Sequence, residues 1–204
     1  MIVRRFVMPV LVASVVGVAC SSPPPPPPAP TVNQDSIDAV RRADSLRRAE
    51  ETARQRAAAA EQRRQDSIRN AEADRQRRIA AARETLVAPV YFDYDMSNIR
   101  DDQAASLRAK VEVLRASPQV QLRIAGHADE RGSTEYNLAL GNRRAESVRQ
   151  FIAGFGIAAT RFTVISYGEE RPAVAQANEQ AWALNRRSEF EITAGANAIN
   201  PPND

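Results

Sequence analysis

The sequence predicts a two-layer α/β sandwich, with helices on one face of a mixed sheet, preceded by a proline-rich stretch and a long polar helix. Three observations carry this expectation. Beyond residue 86, short β-branched runs alternate with helical periodicity in the order β-α-β-α-β-α-β. Residues 35–86 contain neither glycine nor proline and are rich in Ala, Arg, Glu and Gln, all strong helix formers except that Ala outranks the rest. Residues 23–30 read Pro-Pro-Pro-Pro-Pro-Pro-Ala-Pro, which fits extended polyproline II and cannot pack a core.

The chain begins with an address. Arg4 and Arg5 precede an apolar run from Phe6 to Ala19. That run is too short to cross a bilayer as a helix but fits the apolar region of a secretory signal peptide, residues 1–19. Small residues Gly17 and Ala19 come just before Cys20, the only cysteine. The stretch Val16-Gly-Val-Ala-Cys20 resembles a bacterial lipobox, although Gly17 stands where Leu is usual. It implies an acylated Cys20 seated in the inner leaflet of the outer membrane, and Ser21 rather than Asp favours that membrane. Plain secretion with an unmodified Cys20 is the alternative. Acyl chains contribute about 0.8 kcal/mol per buried CH₂, so two or three anchor a protein stably.

After the linker, residues 20–34, comes the helix. At 1.5 Å per residue, some fifty residues would reach roughly 75 Å. Between Leu46 and Ile68 no apolar residue larger than Ala occurs, so a coiled-coil seam would be weak. A solvated spacer over 35–86 is expected, with a coiled-coil oligomer as the alternative.

The globular domain is expected over 87–196. Val90 to Asp95 reads as a strand. Ala104, Leu107, Val111 and Leu114 share a helical face over Asp101–Ala116, and Pro118 stops it. Val120, Leu122 and Ile124 alternate with polar residues up to Gly126. A second helix follows from about Tyr136 to Ala153, with Leu138, Ala145, Val148 and Ile152 as its buried stripe. Phe162–Ser166 reads as a strand, Asn178–Asn185 as a short helix, and Ser188–Thr193 as a last strand with Phe190 and Ile192 inward. Residues 197–204, with Pro201-Pro202, are expected to be a disordered tail.

Composition narrows the function. The 28 basic and 25 acidic residues are interleaved rather than blocked, so no nucleic-acid surface is expected. One cysteine and one histidine leave no multi-residue metal site, and no cofactor is expected. No phosphate loop or Gly-x-Ser-x-Gly elbow occurs. His127, with Ser133 six residues on, is the one thin pointer to catalysis; a lone His beside a turn is more often structural. What converges is charge: Asp95 after the first strand, Asp129 and Arg131 after the second, and Arg143 and Arg144 on the helix that follows. Carboxylates beside guanidinium groups at a helix N-terminus suit a zwitterionic ligand. A plain Asp129–Arg144 salt bridge tying loop to helix is the competing reading.

At these residues a family becomes recognisable. Gly126-His-Ala-Asp-Glu-Arg-Gly132, Glu135-Tyr-Asn137, Leu140-Gly141 and Arg143-Arg-Ala145 closely resemble the OmpA-like peptidoglycan-binding domain. Val90-Tyr-Phe-Asp-Tyr-Asp95, Ser166-Tyr-Gly168 with Pro172, and Asn185-Arg-Arg187 match further blocks in the right order. Within the family the likeness is greatest to the Tol-associated lipoproteins. The resemblance implies noncovalent binding of the meso-diaminopimelate stem peptide of peptidoglycan, no enzymatic activity, and a TolB-like periplasmic partner. It also implies site roles: Asp129 facing the ligand's ammonium, Arg144 its carboxylate, and Asp95 and Arg131 lining the same site. A structural tether of this family outside the Tol system is the alternative. A flagellar stator protein would need a membrane-spanning helix carrying an Asp, which this N-terminus does not offer.

Overall fold

A computed structural model describes residues 33–202. The signal peptide, the Cys20 lipidation site and the proline-rich stretch therefore lie outside the described residues. The chain divides into two units at Ala58/Ala59.

One helix, α1 (Gln34–Val87), contributes to both units. In the first unit no described side chain is buried. The sequence explains why: Ala and charged residues hold the helix by intrinsic propensity and offer no apolar stripe to bury. Arg41 pairs with Asp38 at i,i+3 across 3.8 Å, an exposed contact of little energetic weight.

In the second unit, β1 (Val90–Tyr91), β2 (Gln121–His127), β3 (Phe162–Gly168) and β4 (Arg187–Ala194) form one sheet in the order β1-β4-β2-β3. β2 pairs parallel with β3, while β4 runs antiparallel to both β1 and β2. The first strand is shorter than expected because the chain turns at Asp93, although Phe92 N–H still donates to the Arg186 carbonyl at 2.9 Å. Helices α2 (Asp101–Ala116), α3 (Thr134–Ala153) and α4 (Glu179–Asn185) complete the two-layer order. Leu107, Val111 and Leu114 of α2 meet Leu122 and Ile124 of β2 and Val148 and Ile152 of α3 in a single core. Burying each such side chain contributes roughly 1.5–3 kcal/mol.

Three expectations change. Leu138 is only half-buried; the inner face of α3 is instead Asn137, Leu140, Gly141, Arg144, Ala145, Val148 and Ile152. Polar and glycine positions fill that face, so reading apolar residues alone misplaces it. The domain also begins before residue 87. Ala82 and Leu86 of α1 are in the core, with Ile79 packed against it. There Lys110, the chain's single lysine, is wholly buried on α2 and donates to the carbonyls of Thr85 (2.6 Å), Leu86 (3.1 Å) and Ala88 (2.6 Å). Burial pulls its ammonium down to about 7, while three acceptors at a helix C-terminus favour the charge.

Finally, residues 197–202 are packed rather than disordered. Ile199 inserts into the core, and Asn200 N–H donates to Ser117 Oγ at 2.9 Å. A single large apolar residue among Asn, Ala and Pro leaves no periodic signal, yet it is enough to fix the segment.

Candidate functional site

The site is assembled by a close approach between β2 and α3. Gly126 and Gly141 touch backbone to backbone: a Cβ on Gly126 would lie 1.8 Å from the Gly141 carbonyl oxygen. Only two glycines permit this. The contact brings the helix turn bearing Arg144 against the end of β2, where His127 and Asp129 leave the sheet. Gly132 follows at φ 114°, a turn conformation that favours glycine, and Ser133 then caps α3 by accepting from Tyr136 N–H. Glu169, after β3, accepts from Thr134 Oγ1 at 2.9 Å and from Asn137, fixing the same helix start.

Arg144 is fully buried, and its three hydrogen bonds all go to backbone carbonyls. Nε donates to Met96 at 2.8 Å, Nη1 to His127 at 2.8 Å and Nη2 to Asp93 at 3.0 Å. Two of these carbonyls bracket the turn that carries Asp95, so Arg144 holds that turn in place. Asp95 itself sits at φ 56°, a left-handed conformation that Asp tolerates better than most residues, and it accepts from the Tyr136 hydroxyl. Burial pulls the Arg144 guanidinium down to about 10, still charged at neutral pH. Among the described residues it forms no ion pair with a carboxylate, so the Asp129–Arg144 salt bridge is absent.

Asp129 is paired elsewhere. At 4% exposure, its Oδ2 accepts from Arg131 Nη2 at 2.7 Å and from Arg186 Nη1 at 3.3 Å. Its Oδ1 accepts from Arg131 Nε at 3.1 Å and from the Arg131 backbone N–H at 3.2 Å. Burial alone would raise this carboxyl. The Arg131 and Arg186 hydrogen bonds outweigh that and hold it below the usual carboxylate range.

These groups share one cleft of about 120 Å³, lined by Asp95, Asp129, Arg131 and Arg144 together with Tyr94 and Tyr136. All four residues singled out in the sequence are therefore neighbours. Cys20 lies outside the described residues. Arg143, also among the converging charges, does not line the cleft; it lies over the Tyr136 ring at 5.6 Å. His127 is 1% exposed, and its imidazole is pushed down to about 4, chiefly by burial and then by the charge of Arg187. It does not line the cleft, and neither does Ser133, which is occupied as a helix cap. No group of His, Cys, Asp and Glu among the described residues could hold a metal ion.

Sequence reasoning missed Arg186, Tyr94 and Trp182. The Asn185-Arg-Arg187 block was visible, but nothing in its spacing says that Arg186 crosses 57 positions to reach Asp129.

Residues 91–186 match the OmpA family. A solved relative, the peptidoglycan-associated lipoprotein of Burkholderia pseudomallei, is 38% identical with a TM-score of 0.50, over 52% of this chain and 89% of that one. The chain belongs to the OmpA family. Among curated relatives, it is 46% identical over 99 residues to the peptidoglycan-associated lipoprotein of Brucella melitensis, covering 48% of this chain and 59% of that protein. With the protein of the same name from Pseudomonas aeruginosa it shares 38% over 105 residues, 52% of this chain and 62% of that one. The chain thus matches well under two thirds of these relatives' length. The C-terminal domain of Helicobacter pylori MotB, 19% identical over 55% of this chain and 88% of that one, has a TM-score of 0.51 and shares the fold. The Burkholderia, Brucella and Pseudomonas relatives are named as peptidoglycan-associated lipoproteins, not as enzymes.

Proposed function

We propose that the chain is an outer-membrane lipoprotein that faces the periplasm, binds peptidoglycan noncovalently and tethers the membrane to the wall. The observation that carries this reading is the convergence of Asp95, Asp129, Arg131 and Arg144, from three separate segments, on one small charged cleft. The names of the relatives, which are peptidoglycan-associated lipoproteins, support it.

The ligand is the diaminopimelate residue of the stem peptide, whose side chain ends in an ammonium and a carboxylate on one carbon. Arg144 takes the carboxylate. Its guanidinium carries five N–H donors, three of which hold carbonyls, so two remain for a planar acceptor. Asp129 takes the ammonium. A lysine in that position of the stem peptide lacks the carboxylate and leaves the buried Arg144 charge without a counter-ion.

At its other end the chain is held by acyl groups on Cys20, with the segment between Cys20 and the core-packed end of α1, from Ile79 on, as the spacer. A TolB-like periplasmic protein is the expected partner, in a Tol–Pal-type system that supports envelope integrity and cell division. Sedimentation with purified diaminopimelate-type walls tests the central part. The full chain should pellet with the walls without releasing soluble fragments; a chain that stays in the supernatant contradicts the reading.

A further inference from the structure

Asp129 has no acceptor capacity left. A carboxylate offers about four lone-pair sites, and Asp129 receives four donors: Arg131 N–H and Nε on Oδ1, Arg131 Nη2 and Arg186 Nη1 on Oδ2. An incoming ammonium can bind there only if one of them leaves.

The two arginines differ in how firmly they are held. Arg186 has 8% of its side chain exposed and also donates to the Phe92 carbonyl at 3.1 Å and to Glu179 Oε1 at 2.9 Å. Its departure would strip a backbone acceptor. Arg131 has 30% of its side chain exposed, and no backbone carbonyl accepts from its guanidinium in the structure. That guanidinium lies 4.0 Å from the Tyr94 ring centroid and 4.3 Å from that of Trp182. Trp182 is steadied by its own Nε1–H, which donates to Glu130 Oε1 at 3.1 Å. Arg131 Nη1 is also 3.5 Å from Glu179 Oε2, a second carboxylate already within reach. Arg131 can therefore slide off Asp129 while remaining against the rings and gaining Glu179, keeping its cation–π contacts throughout.

We propose that Arg131 is an internal stand-in for the ligand's ammonium: stacked between Tyr94 and Trp182, it fills Asp129 in the free protein and moves to Glu179 when the ligand's ammonium replaces it. This rests on the stem-peptide reading of the cleft and changes the part that Arg131 plays in it, from ligand contact to competitor. The site is thereby selective for a cation that can outcompete a guanidinium already in place, which a neutral side-chain tip cannot do.

The test is calorimetric titration of the full chain with a meso-diaminopimelate muropeptide, alongside emission from Trp182, the only tryptophan. Arg131→Ala should bind about two- to fivefold tighter, the factor expected when a partly exposed ion pair no longer has to be broken. Wild-type emission should change on saturation as the guanidinium shifts over the indole; Arg131→Ala should bind without that change. Glu179→Gln removes the landing carboxylate and should weaken wild-type binding while leaving Arg131→Ala binding unaltered. Weaker binding by both Arg131→Ala and Arg131→Gln would overturn the proposal and restore Arg131 as a ligand contact. Constant Trp182 emission during proven wild-type binding would overturn it as well. If neither the wild type nor Arg131→Ala binds, the stem-peptide reading itself fails and the stand-in falls with it.

Discussion

The two ends of the cleft solve the burial of charge in opposite ways. At one end Arg144 is buried against three backbone carbonyls, with Asp129 and Asp95 near enough to favour its charge but no carboxylate hydrogen-bonded to it. At the other, Asp129 is buried against two guanidinium groups that fill its acceptor sites. Carbonyl dipoles stabilise a cation without cancelling its charge, so the Arg144 end keeps a charge to offer. Together with Glu179, which pairs with both guanidinium groups, the Asp129 end carries no net charge until something displaces a partner. A charged residue in a cleft is thus not by itself a free binding group; what its hydrogen bonds are spent on decides that.

Removing Arg144 should have the largest effect, because it both holds the Asp95 turn and supplies a guanidinium whose hydrogen bonds leave two donors for a ligand. In Arg144→Gln the carbonyls of Asp93, Met96 and His127 lose most of their donors. At about 1–3 kcal/mol for the buried His127 carbonyl and less for the two part-buried ones, the total is on the order of 3 kcal/mol. Thermal unfolding followed by circular dichroism should show a midpoint lower by about 10 °C or more. An unchanged midpoint would mean that Arg144 does not organise the turn.

Asp129→Asn should cost less stability, because the amide keeps the shape and one acceptor oxygen, leaving Arg186 with Glu179 and Phe92 as partners. A loss of about 1–3 kcal/mol is expected, with muropeptide affinity reduced at least about tenfold. Full affinity in this variant would show that the neutral end plays no part in recognition.

An effect confined to acidic pH concerns His127, whose carbonyl is one of the Arg144 acceptors. Its ring faces Arg187, Glu189 and Arg171 and is held uncharged down to about 4, against an unfolded value of 6.5. Between those values the unfolded chain binds the extra proton, so stability should fall as pH drops from 6.5 towards 4. The contribution is on the order of 3 kcal/mol at the bottom of that window. His127→Gln should flatten this part of the curve relative to wild type in chemical denaturation at several pH values. Identical curves would mean that the buried imidazole does not couple to folding.

Much of this was legible in the sequence, and the parts that were not share a cause. Helix α2 is found over the expected Asp101–Ala116 because its apolar residues recur at helical spacing and Pro118 follows. The order of strands and helices was equally plain, as was the cluster Asp95, Asp129, Arg131 and Arg144. Each missed feature depends on a residue acting against its type. Lys110, Arg144 and Arg186 are buried charges that look like surface charges in a one-dimensional pattern. Asn137 and Gly141 occupy an inner helix face where apolar residues were sought. Ile199 anchors a segment whose composition suggests disorder. In α1, the same Ala- and Arg-rich composition has no buried side chain before Ala58 and is partly core at Ala82 and Leu86; only the partner surface differs. Long-range partners of this kind leave no local trace.

The most direct test of the account is calorimetric titration of the full chain with two muropeptides that differ only in carrying meso-diaminopimelate or lysine. A fragment starting at residue 87 would lose Ala82 and Leu86 from the core and is unsuitable. The account predicts binding of the diaminopimelate form at least about tenfold tighter than the lysine form, because only the former supplies a carboxylate to Arg144. Equal affinity for the two, or no binding of either, would contradict it.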